Sequence, residues 1–172
     1  DNCGKGAEER GQGQAIANNL YELTDVKTPI ISVMIGEGGS GGALALAVAD
    51  EVWMLENAYY SVITPESCAS ILFKDPKRAP EAAEHLKLTA SDLNKMGIVV
   101  KVVEEPEDFS DEKEKSHFMK KLADGLSKEI KQLEKKSVDK LLDDRYEKYR
   151  KIGRYSEYSE AVGEGPGAAQ LL

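Results

Sequence analysis

A glycine-rich segment is the part of this sequence best suited to chemistry, because five of the seven residues from 36 to 42 are glycines. The apolar, β-branched run Pro29–Ile35 before it predicts a strand, and the small apolar residues from Ala43 onward predict a helix. Glycines at such a corner let a ligand lie against bare backbone, where the first unpaired N–H groups of the helix point at it. The corner therefore favours negative charge, either on a phosphate or on an oxyanion that develops during a reaction.

One interpretation of the corner is a dinucleotide site, because Gly36, Gly38 and Gly41 satisfy the pattern G-x-G-x-x-G. The acidic residue that such a site needs about 20 positions further on has only Glu56 as a loose candidate. Residues 51–55 already predict the next strand, which leaves a short helix for a nucleotide-binding unit. These two departures disfavour a dinucleotide site.

A second interpretation is a nucleophilic serine, because Gly38, Ser40 and Gly42 satisfy the pattern G-x-S-x-G. A serine nucleophile needs a base within hydrogen-bond reach. The two histidines of the chain, His85 and His117, lie in stretches that predict exposed helix surface, and neither has an aspartate partner placed by a motif. Ser40 is better explained as a small residue that fits a turn.

A third interpretation is an oxyanion hole made of backbone N–H groups alone. It requires glycines, a strand end and a helix start, and it requires no titratable side chain. An ordinary glycine-rich turn remains an alternative. So many glycines, however, carry an entropic cost on folding that an ordinary turn does not require.

The composition limits the class of protein. With 172 residues, 41% of them hydrophobic, the chain can form one domain with a core. A formal net charge of −8 argues against nucleic acid as a partner. The two cysteines, Cys3 and Cys68, are too few for a disulfide framework or a four-thiolate zinc site, so we expect free thiols. No apolar stretch approaches the roughly 18 residues of a membrane span and no signal peptide pattern occurs, so we expect a cytoplasmic protein without a membrane contact.

Helices and strands alternate along the first part of the chain, which predicts an α/β fold of parallel strands covered by helices. Helices are predicted over residues 7–25, 43–48, 80–87 and 90–96, the last of these capped by Thr89 or Ser91 and ended by Gly97. Strands are predicted over residues 29–35, 51–55, 60–63 and 98–103.

Beyond residue 104 the composition becomes highly charged and helical. An apolar stripe with spacings of three and four runs along it, and it comprises Phe118, Leu122, Leu126, Ile130, Leu133, Leu141, Leu142, Tyr146 and Tyr149. The stripe can pack against its own domain or against another subunit, and both alternatives stay open. We therefore divide the chain into a core at 1–104, an amphipathic helical extension at 105–155 and a flexible tail at 156–172 with linker composition.

Four segments in order carry a resemblance to a known family: Ala7–Gln12, Gly36–Ala45, Tyr60–Leu72 and Arg145–Gly153. Together they closely resemble the alpha subunit of the carboxyltransferase of bacterial acetyl-CoA carboxylase, a member of the crotonase-like (ClpP/crotonase) fold. The resemblance runs from about Cys3 to Gly153. Relatives usually carry a longer N-terminal half, so we expect the family's first strands and helices to be missing here. Many relatives also have glycine where this chain has Ser67, which is expected to alter one wall of the substrate groove.

The resemblance implies both the fold and the reaction. Crotonase-like proteins stack short parallel strands and helices as turns of a superhelix, here with a C-terminal helical extension. Members of the family move a carboxyl group from carboxybiotin to acetyl-CoA and so form malonyl-CoA in the first committed step of fatty-acid synthesis. The reaction passes through two oxyanions, one on the thioester and one on biotin, and each backbone donor is expected to contribute about 3–4 kcal/mol.

The resemblance also implies site residues. The backbone N–H groups of Gly41 and Gly42 are expected to hold the biotin carbonyl. Released biotin can itself take the proton from the thioester, so no general base is required. A valine at Gly41 is expected to abolish transfer by occupying the place of biotin. The other expected substrate-binding residues are Gly38, Gly39, Ser40, Ser61, Val62, Ile63, Thr64, Pro65 and Glu66.

The implied cofactors and partners lie outside this chain. Biotin is expected as carboxybiotin on a carrier protein, with a CoA thioester as the second substrate and no metal on this chain. The expected partners are a zinc-ribbon beta subunit and the biotin carboxyl carrier protein, in an alpha2beta2 assembly within an ATP-using complex. Two alternatives remain: a subunit of a biotin-dependent acyl-CoA decarboxylase and a non-catalytic assembly fragment. A crotonase-like hydratase or protease is less favoured, because neither acidic residues facing a thioester nor a histidine near Ser40 is evident.

Overall fold

A computed structural model of the chain describes residues 4–153. The expected thiol of Cys3 and the expected flexible tail at 156–172 lie outside the described residues. The strands are β1 (Ile31–Met34), β2 (Glu37–Gly39), β3 (Glu51–Leu55), β4 (Tyr59–Ser61) and β5 (Lys101–Val103). The helices are α1 (Lys5–Glu9), α2 (Gln12–Thr24), α3 (Ser40–Ala47), α4 (Pro65–Phe73), α5 (Ala79–Leu86), α6 (Ala90–Lys95), α7 (Glu112–Leu133) and α8 (Val138–Arg150), with a 3₁₀ turn at Pro76–Arg78.

Two small parallel sheets organise the chain. The first has three strands in the order β1–β3–β5, and the second pairs β2 with β4. In the central strand β3, four consecutive residues are buried, as expected for a parallel strand covered on both faces. The predicted α/β class with parallel strands and helices is confirmed.

The core lies around β3. Met54 and Val99 are fully buried, and Trp53 lies in the same cluster together with Phe118 of α7. Leu122, one turn further along α7, packs against this cluster. The first half of α7 is therefore part of the domain core.

The predicted single helix over residues 7–25 is wrong. The chain breaks into α1 and α2 at Gly11, whose φ of +81° is left-handed and cannot continue a right-handed helix. The predicted strand over 98–103 is shortened to Lys101–Val103 for a related reason. Gly97 has φ +74° and the amides of Ile98 and Val99 both donate to the carbonyl of Leu93, so these residues end α6 instead of beginning the strand.

The other predicted helices agree closely with the structure. The helices predicted over 80–87 and 90–96 correspond to α5 and α6. Thr89 caps α6, because its hydroxyl oxygen accepts a hydrogen bond from the Asp92 amide at 3.3 Å. Of the two predicted caps, Thr89 is the one that is used.

One strand and one α-helix were absent from the prediction. Residues 37–39 form β2 inside the glycine-rich segment, because Gly38 pairs with Tyr60 and Gly39 with Ser61 in β4. The second missed element is α4, which begins after Thr64. This threonine accepts a hydrogen bond from the amide of Ser67, and a proline occupies the first helical position.

The charged extension forms two helices joined by a short turn. Ser137 begins α8 by accepting a hydrogen bond from the Lys140 amide at 3.3 Å. The apolar stripe is buried at Leu133 and Leu141 but exposed at Ile130 and Tyr146. Part of the stripe thus packs against its own domain, and a subunit contact at the exposed positions stays a prediction. No helix among residues 4–153 has the length and apolar character that crossing a membrane requires.

Candidate functional site

A groove follows the glycine-rich segment from the end of β1 through β2 to the first turn of α3. Its volume is about 380 Å³. Three predicted site residues, Gly38, Gly39 and Gly42, lie in its lining. The complete lining is Val33, Met34, Ile35, Gly36, Glu37, Gly38, Gly39, Gly42, Ala43 and Leu46. The fold therefore gathers one strand end, one glycine strand and one helix start around a single concavity.

The groove has an apolar wall that this chain leaves open. Ile35 is 74% exposed and Leu46 is 70% exposed, although both are large aliphatic side chains. Contiguous exposed apolar surface in a concave site is typical of a binding surface. An apolar ring or a second protein surface would remove these side chains from water.

The two predicted oxyanion donors lie in the first turn of α3. Gly41 and Gly42 are its second and third residues, and Ala43 is the first residue whose amide reaches back to Gly39, one turn earlier. The amides of both glycines are thus outside the repeating helical hydrogen bonds. They also lie at the positive end of the helix dipole, which favours a bound anion.

The structure shows what a side chain at Gly41 would meet. A Cβ atom built there would lie 3.5 Å from Cγ2 of Ile16 in α2, and Gly41 is not among the lining residues. A side chain at this position would therefore begin in ordinary van der Waals contact with α2. That a valine at Gly41 abolishes transfer stays a prediction.

Gly38 and Gly39 differ in what surrounds them. A Cβ at Gly38 would lie 3.4 Å from Sδ of Met34 and 3.4 Å from the carbonyl oxygen of Tyr59. A Cβ at Gly39 would meet nothing within 4 Å, and its φ of −135° is open to any residue. Gly39 is thus a position in the lining where the Cβ of an added side chain has open space around it.

Ser40 lies at a strained junction between β2 and α3. Its φ of +55° is left-handed, which costs a non-glycine residue about 1–2 kcal/mol. A strand–turn–helix with a strained serine is also the geometry of a nucleophilic serine. However, among the described residues no histidine lines the groove: His117 lies in a separate cavity of about 170 Å³ beside α7, and His85 lies near the end of α5.

The predicted groove residues at 61–66 serve mainly to shape the chain after β4. Ser61 is buried, and its hydroxyl donates to the carbonyl of Ile63 at 2.7 Å. Thr64 caps α4, and Pro65 and Glu66 form its first turn. Val62 is exposed. None of the six is part of the lining of the 380 Å³ groove, although Ser61 lies beside Gly39 in the strand register.

A buried ion pair joins the loop after α3 to the end of α2 and the segment before β1, and the sequence analysis missed it. Arg145 of α8 and Asp50 before β3 are 2% and 4% exposed, and the guanidinium makes two hydrogen bonds to the carboxylate, at 3.0 and 2.8 Å. The other three guanidinium N–H groups donate to the carbonyls of Leu23, Val26 and Thr28 at 2.8–3.0 Å. All five donors of the arginine are therefore satisfied within the protein.

The side chains that follow Arg145 in α8 bind the end of α3. The hydroxyl oxygen of Tyr149 accepts from the Ala49 amide at 2.9 Å, and it lies 2.5 and 3.0 Å from the carbonyl oxygens of Ala47 and Ala49, to which the hydroxyl can donate. Lys148 donates to the carbonyls of Ala49 and Asp50 at 3.2 and 3.1 Å. We call Asp50, Arg145, Lys148 and Tyr149 the C-terminal clasp.

Burial changes the acidity of groups at the clasp. It lowers the pKa of Lys148, against the opposing effect of the nearby Glu51 and Asp50 carboxylates. It raises the pKa of the Tyr149 hydroxyl, which keeps that group protonated and able to donate. Burial also raises the pKa of the neighbouring Glu51, and the negative charge of Glu129 raises it further. In the clasp, Asp50, Arg145 and Lys148 are charged groups shielded from water, and Tyr149 is a neutral hydrogen-bonding group.

Comparison with known proteins assigns the family. Residues 2–153 match the family model described as "Acetyl co-enzyme A carboxylase carboxyltransferase-like". This chain belongs to that carboxyltransferase family. The groove, the glycine corner and the clasp all lie within the matched residues.

Relatives of this carboxyltransferase-family chain are similar over most of its length. It is 54% identical over 155 residues to the acetyl-coenzyme A carboxylase carboxyl transferase subunit alpha of Clostridium acetobutylicum, a match that covers 90% of this chain and 56% of that protein. It is 55% identical over 158 residues to a protein of Natranaerobius thermophilus named for subunits beta/alpha, covering 91% of this chain and 26% of that protein. The chain spans about half the length, or less, of the curated relatives it matches.

Solved structures share the fold of this carboxyltransferase-family chain. Transcarboxylase 12S superposes with a TM-score of 0.55 at 21% identity, covering 95% of this chain and 28% of that one. The Pseudomonas malonate decarboxylase MdcD-MdcE hetero-dimer superposes with a TM-score of 0.56 at 16% identity, covering 73% and 52%. These likenesses confirm the predicted crotonase-like α/β fold.

A metal site in the described part of this carboxyltransferase-family chain would need several ligand side chains close together. Residues 4–153 contain no group of three or more His, Cys, Asp or Glu side chains placed to hold a metal ion. Cys68, a thiol expected from the sequence to be free, is free and buried.

Proposed function

We propose that this chain supplies the alpha side of a carboxyltransferase site, where a carboxyl group moves from carboxybiotin to acetyl-CoA to give malonyl-CoA. The observation that carries the proposal is the position of the glycine corner. Gly42, with an amide outside the repeating helical hydrogen bonds, lines a groove of about 380 Å³, and Gly41 precedes it in the same turn. Membership of the carboxyltransferase family supports the choice of reaction.

The geometry fits a planar urea-type ligand with an anionic oxygen. Bare backbone at Gly39 leaves room for close approach of a ring, and Ile35 and Leu46 offer it an apolar wall. Carboxybiotin, carried by another protein, would supply an activated carboxyl group whose release leaves negative charge on the ureido oxygen. In this proposal the amides of Gly41 and Gly42 bind that oxygen, each contributing about 3–4 kcal/mol to the transition state.

This chain needs no general base in the proposed reaction. The groove lining contains one titratable side chain, Glu37, and otherwise aliphatic residues and glycines. The chain's contribution is therefore electrostatic and positional: two aligned donors, the positive end of a helix dipole and an apolar wall that excludes water. The proton from acetyl-CoA goes to the departing ureido group.

The exposed apolar wall supports a shared site. We propose that a zinc-ribbon beta subunit closes the groove and provides the oxyanion hole for the thioester, in an alpha2beta2 assembly with the biotin carboxyl carrier protein. The Natranaerobius relative, whose name joins beta and alpha subunits, is consistent with this pairing. The cytoplasmic location expected from the sequence stays a prediction.

The test is malonyl-CoA-dependent carboxylation of free biotin by this chain, alone and mixed with a zinc-bearing beta subunit of the family. Activity in the mixture only is the expected result. Decarboxylation of other carboxylated acyl-CoA thioesters, without transfer between malonyl-CoA and biotin, would instead favour the decarboxylase alternative. Formation of a complex that catalyses neither reaction would refute the proposal and leave the chain as an assembly fragment.

A further inference from the structure

The carbonyl groups at the C-terminal end of α3 are bound by side chains from distant parts of the chain. A helix end normally leaves its last carbonyls without helical partners. Here the Leu46 carbonyl accepts from the hydroxyl of Ser32 in β1, and the Ala47 carbonyl accepts from Tyr149 in α8. Lys148 places a cation against the carbonyls that follow, which also complements the negative end of the helix dipole.

The other end of the same helix carries the proposed oxyanion donors. With eight residues, α3 is about 12 Å long, so it is a short rigid rod. A tilt of about 5° around its fixed end would move the opposite end by about 1 Å. A misplacement of this size costs a reaction as much as about a hundredfold in rate. Contacts at Ala47–Asp50 can therefore decide where the amides of Gly41 and Gly42 lie.

We infer that Tyr149 is a positioning residue for carboxyl transfer, acting through α3 on the amides of its first turn. The inference rests on the proposed function for its reaction. It gives α8, for which the sequence left open a contact with its own domain or with another subunit, a role inside the chain's own site. Tyr149 touches no residue of the groove lining through its hydroxyl; it binds the backbone of residues 47 and 49 instead.

A matched pair of variants separates this role from a general effect on α8. Tyr149→Phe removes only the hydroxyl that binds the end of α3. Tyr146→Phe removes the same atom from the same helix, at a ring that is 62% exposed. Both variants are mixed with the beta subunit and compared in the biotin carboxylation assay, below the temperature at which either begins to unfold.

The expected result for Tyr149→Phe is at least a tenfold lower kcat with a KM for malonyl-CoA within twofold of the parent. The KM is retained because the thioester is bound by the partner subunit in the proposed reaction. Hydrogen–deuterium exchange of the isolated chain should also show faster exchange at the amides of residues 43–47, by at least threefold. Tyr146→Phe should match the parent in both measurements.

Two results would overturn the inference. One is a Tyr149→Phe variant with a lowered Tm but an unchanged kcat, which would show a purely structural role. The other is unchanged exchange at residues 43–47. If Tyr149→Phe fails to fold, Ser32→Ala removes the other side-chain bond to the end of α3 and should give the same kinetic profile. A parent mixture without any transfer refutes the proposed function instead, and the exchange measurement then decides alone whether Tyr149 fixes α3.

Discussion

Removing the carboxylate of Asp50 should be among the most damaging single changes to this fold. In Asp50→Ala, the guanidinium of Arg145 stays buried with its charge unpaired, and the Ile30 amide loses its acceptor at 2.8 Å. Breaking a buried ion pair from one side costs about 3–5 kcal/mol. For a chain of 172 residues, each kcal/mol lowers Tm by about 2–4 °C, so we expect a decrease of about 10 °C.

The chain offers both a reporter and a control for this measurement. Trp53 is the single tryptophan and lies in the core, so its fluorescence follows unfolding in urea. The control is Glu81→Ala, which breaks the Arg78–Glu81 pair. That pair has somewhat shorter contacts than the buried pair, at 2.6 and 2.8 Å, but both side chains are 45% exposed. Its loss should cost far less than the loss of the buried pair, since water screens the charges.

The comparison refutes the reasoning if the two variants lose similar free energy of unfolding. A loss below about 1 kcal/mol in Asp50→Ala would mean that the buried pair contributes no more than an exposed one. Removing both charges together should not restore stability, because the carbonyls of Leu23, Val26 and Thr28 would still lose their donors. Recovery in the double variant would show that those carbonyl contacts are unimportant.

Three further changes test the groove and its surroundings. Gly39→Val should change the free energy of unfolding by no more than about 0.5 kcal/mol, because its Cβ meets open space. It should reduce biotin carboxylation about a hundredfold, because the valine fills part of the groove. Full activity would contradict the assignment of the groove as the site. Ser40→Gly should raise the free energy of unfolding in urea by about 1 kcal/mol, because glycine adopts a φ of +55° without strain. Carboxyl transfer should be unchanged, and a loss of activity would favour the interpretation of Ser40 as a nucleophile. Burial raises the pKa of Glu51 above 4.5, so the folded chain keeps a proton that the unfolded chain releases, and the contribution of this group to stability falls as the pH rises above 4.5. Glu51→Gln should flatten that part of the pH–stability curve measured by urea unfolding, and an unaltered curve would contradict the assignment.

Local signals in the sequence predicted many of the helices and strands but not their interruptions. Thr89, with Ser91 as the alternative, was recognised as the cap of a helix. A capping threonine at Thr64, with Pro65 and Glu66 after it, was overlooked. The strand β2 gave no such signal. Glycines have low strand propensity, and Gly38 and Gly39 become a strand only because β4 lies beside them.

The glycine corner could be predicted from one short segment of the sequence. The C-terminal clasp could not be predicted in this way. A strand end, glycines and a helix start are consecutive in the chain, so their geometry follows from local rules. The pairing of Asp50 with Arg145 joins residues 95 positions apart, and neither residue belongs to an apolar period. Arg145 was noticed only as part of a family-like segment. Its burial depends on three backbone carbonyls that no side-chain pattern reveals.

The same separation has a consequence for the order in which the molecule is made. Synthesis runs from the N-terminus, so Asp50 leaves the ribosome well before the helix that neutralises it. At 5–20 residues per second, the 95 residues between Asp50 and Arg145 take roughly 5–20 s to add. During that time the glycine corner exists without the contacts that hold its helix. Docking of the proposed partner subunit on a finished groove is therefore a step that follows the synthesis of α8. In a nascent chain that stops between α7 and α8, the glycine corner would lack the contacts of the C-terminal clasp.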